Sequence, residues 1–245
     1  MACPRPECSV VSVTRHRQGR KSLFSEPRTW QTRARERSLA SARQRADDQA
    51  ARLVRAAQEM INEELDVTVP ALAARAGMST KTFYRHFSSR DELLLATMED
   101  ELAIGAHLVR REVDRHQDPV ERLRACVFAY VAIPGRYRST HLRQARVRES
   151  RRLLALYEEQ ADQANEPLRE VFLDVITGLA DAGLIELEDP DLTARSIYHL
   201  LSGHLVDAAF DGSPAAYERI GEHAWQFCCG ALRIPLNCVN KERSS

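Results

Sequence analysis

We predict an all-α fold for this chain of 245 residues, with a small N-terminal domain of three helices and a larger helical domain after it. Apolar residues recur every three or four positions through most of the chain, and several Asp-Pro or Ser-Pro pairs can begin helices. No useful length of sequence alternates between polar and apolar residues, as a half-buried strand would. A chain of this length can also hold a small module beside a larger core.

The first helix is predicted within RQRADDQAARLVRAAQEMINEEL, which starts at Arg43. Leu53, Ala57, Met60 and Ile61 recur there at helical spacing and therefore share one apolar face. We expect this helix to support two shorter helices that follow it.

Those two helices are predicted in TVPALAARAGMSTKTFYRHF, which starts at Thr68. The Thr68 hydroxyl can cap the first helix by accepting from a backbone N–H. Gly77 can end that helix in the left-handed conformation, and Ser79 can cap the next helix, predicted for Thr80 to Phe87. This spacing is typical of a helix-turn-helix.

The second short helix has an apolar face and a polar face. Phe83 and Phe87 lie four positions apart and can pack inward together. The outward side chains are polar or cationic with one phenol, which suits hydrogen bonds to base edges and phosphates: Lys81, Thr82, Tyr84, Arg85 and His86. Ser89 and Glu92 form a capping box that begins a further helix.

The segment TKTFYRHFSSRDELL, residues 80–94, resembles the recognition-helix signature of the TetR family of bacterial transcription regulators. The pattern resembled has an aromatic-Tyr pair, a Phe three residues after the Tyr, a basic residue and a Leu. Here these are Phe83, Tyr84, Phe87, Arg90 and Leu93. The resemblance covers about 45–95, and its one departure is Arg90 where the family commonly has Lys, which keeps the charge but changes the donor geometry.

The resemblance implies a helix-turn-helix DNA-binding domain followed by a larger helical domain for effector binding and dimerisation. It also implies contacts with double-stranded DNA by Thr68, Ser79, Thr80, Lys81, Thr82, Tyr84, Arg85, His86 and Arg90. A plain helical hairpin is the simpler reading of the motif. A packing role for Tyr84 and a solvated or capping role for His86 also remain open.

Four parts follow from this reading: a basic extension over 1–44, the DNA-binding domain over 45–95, the effector and dimerisation domain over 96–235, and a tail over 236–245. The net charge of zero hides an asymmetry, because Met1 to Ala46 holds 11 Lys and Arg against 3 Asp and Glu. The extension lacks apolar periodicity, so we expect it to be largely disordered without a partner. It either strengthens DNA binding nonspecifically or is dispensable.

The larger domain contains several predicted helices. Asp118-Pro119 begins one that Pro134-Gly135 ends, with Leu123, Cys126, Val127 and Tyr130 directed inward. An arginine-rich helix follows, with Leu142, Val147 and Leu154 among its apolar positions. Pro167 is predicted to open the next helix, which contains Val171, Phe172 and Val175 and ends at Gly183.

The last two helices are predicted to begin at Asp189-Pro190 and Ser213-Pro214, and both carry apolar stripes. In the family resembled, two such helices from each subunit form a four-helix bundle about a two-fold axis, which implies a homodimer and a palindromic operator. The implied interface residues are Ile197, Leu201, Leu205, Ala208, Tyr217, Ile220, Ala224 and Phe227. The alternative is that these stripes belong to the chain's own core.

The resemblance also implies a small-molecule effector, bound among the helices between Leu95 and Leu184. Our candidates for the pocket are Cys126, Tyr130, His141 and Phe172, although inward aromatics are commonly plain core. The arginines from Arg136 to Arg152 could attract an anionic ligand such as an acyl thioester, or they could form a solvated helix face.

Other classes of protein have less support. No run of about twenty apolar residues could cross a bilayer, and the N-terminus lacks the apolar centre of a secretion signal, so we expect a cytoplasmic protein. The six cysteines show no metal spacing, and no catalytic residue, metal site or cofactor is predicted. The prediction is a ligand-responsive regulator, a repressor by family resemblance, and the alternative is a helical scaffold that binds another protein without specific DNA binding.

Overall fold

The computed structural model describes residues 29–136, 139–211 and 213–234. Within these ranges the chain is all-helical and has no strand, which confirms the predicted fold class. The helices are α1 Thr29–Asn62, α2 Val69–Arg75, α3 Thr80–His86, α4 Arg90–Val113, α5 Pro119–Ala132, α6 Thr140–Leu156, α7 Glu158–Asp181, α8 Pro190–Asp211 and α9 Pro214–Ala231, with a 3-10 turn over Ile133–Arg136. None of these helices is both apolar enough and long enough to span a bilayer.

The chain divides into two compact units, Met1–Arg45 and Ala46–Ser245. In the first unit, residues 29–45 form the first half of α1 and are almost all exposed. The expected disorder is therefore wrong for 29–44, because Ala, Arg, Gln, Glu and Leu are strong helix formers even without an apolar face. The rest of the predicted extension and the predicted tail over 236–245 lie outside the described residues.

In the second unit, the last turns of α1 pack against α2, α3 and the start of α4. Leu53, Ala57 and Met60 of α1 share this small core with Leu72 of α2 and Phe83 of α3. The apolar face predicted for the first helix is thus confirmed, and it holds the two short helices in place.

The turn between the short helices follows the prediction closely. α2 begins after Thr68, whose hydroxyl accepts from the backbone N–H of Ala71, and Gly77 follows the helix with a φ of +66°. Ser79 caps α3 by accepting from the backbone N–H of Thr82 at 3.1 Å. α3 ends at His86, one residue earlier than predicted, because Phe87 has an extended backbone that turns its ring into the core.

The prediction that Pro167 opens a helix is wrong. α7 begins at Glu158, and Pro167 lies inside it. The buried face runs through the proline without interruption, from Ala161 and Ala164 to Leu168 and beyond. Proline lacks a backbone N–H and costs a helix about 3 kcal/mol, and here the helix continues because burial of this stripe favours it.

The other helix boundaries agree with their signals, with two corrections. Asp118 and Asp189 cap α5 and α8, and Gly183 has a φ of +67° after α7. Ser213 precedes α9, but its side chain makes no capping hydrogen bond. Near the end of α6 Leu153 is buried, whereas Leu154 is 39% exposed, so the predicted inward position there was shifted by one residue.

Candidate functional site

α3 presents a polar surface on the side opposite its buried phenylalanines. Phe83 is 0% exposed and Phe87 is 8% exposed, so both rings belong to the core. Thr80, Lys81 and Arg85 are exposed, and so is Tyr84, whose side chain is 58% exposed. The ring of Tyr84 packs edge-on against that of Phe83, with centroids 5.2 Å apart. The ring of Tyr84 is therefore held in place by Phe83, and the side chain remains largely exposed.

Two further predicted residues, Thr82 and His86, are half-buried and take part in local hydrogen bonds. The Thr82 hydroxyl lies 3.0 Å from that of Ser79, within the cap of α3. The Nε2 atom of His86 lies 3.0 Å from Oε1 of Gln49, which also accepts from Arg85 at 2.9 Å. Gln49 on α1 therefore orients both basic residues at the end of α3. Sequence reasoning missed Gln49, which is 36 and 37 positions away from its partners.

Thr68 and Arg90 lie at the borders of this surface. Thr68 is exposed at the start of α2. Arg90 is also exposed, but its Nε donates to the backbone carbonyl of Val67 at 2.6 Å. Arg90 thereby joins the first turn of α4 to the residue before the α2 cap, so part of its donor capacity is used within the domain. Arg52 supports the turn in a similar way by donating to the carbonyl of Ala76.

The arginine-rich helix α6 contacts the N-terminal helical domain at both of its ends. At its start, the Ser139 hydroxyl donates to Glu64 at 2.6 Å, and Nδ1 of His141 lies 3.2 Å from the same carboxylate. These two contacts lower the pKa of Glu64, the hydroxyl more than the imidazole. Glu64 lies between α1 and α2 with a φ of +57°. α6 therefore begins against the connection that leads into the helix-turn-helix.

At its other end, α6 is held against the start of α4. Arg152 donates to both carboxylate oxygens of Asp91, at 2.8 and 2.6 Å, and also pairs with Glu149. These bonds lower the pKa of Asp91. Next to Arg152, Leu153 is buried within the core of the DNA-binding domain. Because α4 follows α3 after a short connection, these contacts join α6 to the segment that begins directly after α3.

Three of the predicted ligand-pocket residues are buried in the core, and the fourth lies at the surface. Cys126, Tyr130 and Phe172 are buried in the main core of the larger domain. The rings of Tyr130 and Phe172 pack edge-on, 5.5 Å apart, and the Tyr130 hydroxyl lies 2.8 Å from that of Ser202. His141 is instead at the surface with Glu64. Inward aromatic positions on amphipathic helices indicate burial, whether or not a cavity is present.

A cavity of about 210 Å³ lies elsewhere, between α4, the 3-10 turn, α6 and α8. Most of its lining is apolar, and its charged residues come from α4 and α6. Among them Arg146 is largely buried and forms an ion pair with Glu101 of α4. The arginine-rich helix was the sequence signal for this cavity. The spacing of its arginines did not show which of them line the cavity and which face the solvent.

The predicted dimer residues fall into three groups. Ile197, Leu201, Ala208 and Ala224 are buried by the chain's own helices, so they are corrected from interface to core. Leu205, Tyr217 and Ile220 are half-buried against the same core. Phe227 is 51% exposed. An amphipathic stripe predicts an apolar face but does not reveal what covers it, and here most of the stripe is covered by α5 and α7.

The buried thiols do not resemble a nucleophilic or metal site. Cys126, Cys228 and Cys229 are free and buried, and burial raises the pKa of Cys228 to about 12 and that of Cys229 to about 11. These thiols stay protonated at neutral pH, and protonated thiols are poor nucleophiles. In the described part of the chain, no group of three or more His, Cys, Asp or Glu side chains is arranged to hold a metal ion.

Comparison with known proteins finds a family match for the helix-turn-helix. Residues 53–97 match the family model described as bacterial regulatory proteins, tetR family, and this range contains the end of α1, the helix-turn-helix and the start of α4. These residues therefore form a TetR-type DNA-binding domain. It is also 29% identical over 83 residues to the HTH-type transcriptional regulator HbdR of Aromatoleum sp. (strain CIB), a match that spans 33% of this chain and 36% of that protein.

Solved TetR-family structures share the fold over most of the chain. A TetR-family regulator from Pectobacterium atrosepticum superposes with a TM-score of 0.67 at 22% identity, covering 79% of this chain and 98% of that one. The transcriptional regulator FadR from Bacillus subtilis, solved in complex with stearoyl-CoA, superposes with a TM-score of 0.58 at 14% identity, covering 73% of this chain and 96% of that one. At these identities the likeness concerns the fold.

Proposed function

We propose that this chain is a sequence-specific, DNA-binding transcription regulator that inserts α3 into the major groove. The observation that carries the proposal is the division of α3, in which Phe83 and Phe87 are buried while Lys81, Tyr84 and Arg85 are exposed. Buried rings fix the rotation of the helix about its axis. The polar side chains therefore face a partner in a defined orientation.

The exposed groups suit a duplex. The Lys81 ammonium and the Arg85 guanidinium can donate to phosphates or to purine edges, and the Tyr84 hydroxyl can donate to a phosphate or a base. In helix-turn-helix proteins the N-terminal part of the recognition helix contacts base edges, which assigns this role to Thr80 and Lys81. Arg90 and Thr68 at the borders would contact the backbone.

We further propose that the chain acts as a homodimer on a palindromic operator, with two copies of α3 about 34–36 Å apart. Support comes from the outward side of the last two helices, which we name the α8/α9 outer face. It consists of Leu192, Ser196, His199, Gly203, Phe210, His223, Gln226, Phe227 and Gly230. A Cβ at Gly203 or Gly230 would have nothing within 4 Å, so both helices offer room for close approach by a second copy.

The two outward sides are adjacent, as a shared dimer surface requires. The rings of His204 and His223 lie 6.0 Å apart, across a groove that also includes Asp207 and Arg219. Phe227, four positions after His223 on α9, supplies an exposed aromatic ring. Aromatic side chains are enriched at protein interfaces, where they contribute much of the binding energy.

Repression and ligand response are the remaining parts of the proposal. Repression follows from the family, and ligand response is supported by a FadR relative that was solved with stearoyl-CoA. α6 offers a route for the response, because it lines the cavity and also contacts Glu64 and Asp91 of the DNA-binding domain. A ligand that displaces α6 would thereby shift the base of α3 and change the separation of the two recognition helices.

Binding to the DNA upstream of the protein's own gene tests the proposal. The full chain should bind one fragment specifically in a salt titration, and Tyr84→Ala should lower that affinity by about tenfold or more. Arg111→Ala is the matched control, because it also changes an exposed residue but lies at the far end of α4. Binding that is equally strong to unrelated DNA, or that is unaffected by Tyr84→Ala, would favour the protein-binding scaffold.

A further inference from the structure

The first half of α1, residues 29–45, is an exposed helix with an excess of positive charge, and we name it the basic segment. It carries one acidic residue, Glu36, and five exposed arginines: Arg33, Arg35, Arg37, Arg43 and Arg45. Asp47 and Asp48 follow directly after it. Three carboxylates cannot neutralise five guanidinium groups, so the excess remains even if every one of them is paired. The buried residues of α1 come later, from Leu53 onward.

The charged and apolar side chains of the basic segment are spread around the helix axis. A helix turns by about 100° per residue, so Arg33 and Arg37 share one side and Arg35 lies on the opposite side. Trp30 and Leu39, which are 57% and 59% exposed, are also on opposite sides from each other. The basic segment therefore has no continuous apolar stripe.

This pattern fits the backbone of a nucleic acid better than a membrane or a groove on another protein. A helix that lies on a membrane or in a protein groove buries one apolar face. Lysine and arginine, in contrast, neutralise the phosphates of a duplex without reading its bases. The guanidinium group also binds phosphate through two parallel hydrogen bonds.

The basic segment is closely linked in the chain to the DNA-binding domain. Leu53 belongs to the core of that domain and lies on the same helix, eight positions after Arg45. DNA held by α3 would therefore be at a high effective concentration for the basic segment. Phosphate contacts that are weak by themselves would then add to the total affinity.

We propose that the basic segment binds the phosphate backbone of double-stranded DNA without reading its sequence. The inference rests on the proposed function, since it assigns part of the DNA affinity to a second element. Of the two roles left open for the basic extension, it gives residues 29–45 the first. The segment raises the affinity for operator and for unrelated DNA alike, and the selection of sequence is left to α3.

A salt titration of DNA binding by the full chain tests the inference. Arg33→Gln, Arg35→Gln and Arg37→Gln are combined in one variant, because Gln removes the charge and remains a good helix former. In a plot of log K against log salt concentration, this variant should have a slope shallower by about two, since each neutralised phosphate contributes about 0.9. Its affinity at low salt should fall about tenfold or more, for operator and unrelated DNA alike.

The matched control combines Arg111→Gln, Arg115→Gln and Arg151→Gln, which removes the same charge from exposed positions outside the basic segment. It should keep a slope close to that of the wild-type protein. Circular dichroism checks that both variants retain their helix content. A slope unchanged in the first variant, or flattened equally in the control, would overturn the proposal.

Trp30 reports on contact at the basic segment itself. It is one of two tryptophans, and the other, Trp225, is only 2% exposed, so acrylamide should quench mainly Trp30 in the free protein. An unrelated duplex should reduce this quenching, and Trp30→Phe should abolish the change. Vesicles of phosphatidylserine and phosphatidylcholine are compared at the same salt. Protection of Trp30 by the vesicles but not by DNA would overturn the proposal and indicate a membrane partner.

The two proposals fail separately. If the full chain binds its operator specifically but the variant of the basic segment keeps the wild-type slope, the inference is wrong and the regulator proposal stands. If no DNA is bound specifically but the variant flattens the salt dependence with unrelated DNA, the inference stands and the regulator proposal is wrong.

Discussion

Single side chains decide whether α3 is presented correctly, and some of them act through hydrogen bonds within the protein. Gln49 accepts from Arg85 and lies within hydrogen-bond distance of His86. Arg90 donates to the carbonyl of Val67. Such residues orient the groups that would contact DNA. Their removal should therefore affect binding more than stability.

Gln49→Ala should lower operator affinity several-fold with little change in the free energy of unfolding, because it releases Arg85 and His86 without opening a core. The measurement is fluorescence anisotropy with labelled operator, paired with urea denaturation. Gln58→Ala is the matched control, since Gln58 is on the same helix and bonds to Asp100 instead. In a double-mutant cycle, Gln49→Ala and Arg85→Ala should be non-additive. Full additivity would show that Gln49 acts independently of Arg85.

Gly77 is required by backbone geometry. Its φ is +66°, and an added Cβ would lie 3.2 Å from Nη2 of Arg52. Gly77→Ala should lower the free energy of unfolding by about 1–2 kcal/mol, the usual cost of the left-handed conformation for a residue with a side chain. Gly178→Ala, inside α7 with nothing within 4 Å, should instead stabilise by about 0.5–1 kcal/mol. Chemical denaturation of both variants measures the change in the free energy of unfolding. Changes of the same sign and size in the two variants would contradict this explanation.

Among the helices, α6 and α7 depart most from simple signals. α7 continues through Pro167 because its buried stripe outweighs the lost backbone hydrogen bond. α6 has few buried residues, Leu142 and Leu153, yet it contacts the DNA-binding domain at Glu64 and Asp91. A helix held largely by polar contacts can shift more readily than one held by a large core, which suits a moving part.

The Asp91–Arg152 pair should make stability depend on pH in acid. Arg152 lowers the pKa of Asp91 in the folded protein. The stabilisation that the pair gives to the fold is therefore complete above the ordinary aspartate pKa of about 3.9. It is lost as the pH falls through the lower pKa of the folded state. Asp91→Asn should cost no more than about 1 kcal/mol at neutral pH, because both side chains are partly exposed. Urea denaturation at several pH values measures this.

The difference between the wild-type protein and Asp91→Asn should stay constant from neutral pH to about pH 4 and shrink below it. Glu159→Gln, which changes an exposed carboxylate on α7, is the control. A difference that persisted unchanged in strong acid would mean that the Asp91 charge is not its source.

For the molecule as a whole, the proposed dimer depends on the α8/α9 outer face and not on the buried stripes. Phe227→Asp should yield a folded monomer with much weaker operator binding, because it places a charge on an exposed aromatic contact. Sedimentation velocity gives the mass. Leu156→Asp is the matched control, since Leu156 is 59% exposed but lies at the end of α6. A dimer that survived Phe227→Asp would locate the interface elsewhere.

The local features of the fold were readable from the chain. Thr68, Gly77 and Ser79 indicated the ends of the two short helices, and the spacing of Phe83 and Phe87 indicated which side of α3 is buried. Caps, turns and helical faces depend on residues within about four positions of one another. Their stability depends little on residues far away in the sequence, so a local sequence pattern is enough to predict them.

The packing of the helices against one another determined the features that the sequence did not predict. Gln49 meets Arg85 across 36 positions, and Arg152 meets Asp91 across 61. The same docking covered Leu201 and Ala224 and left the cavity beside Arg146. An apolar stripe predicts only that a helix face is buried. What covers that face, and whether the packing leaves a space, depends on the shapes of several helices at once.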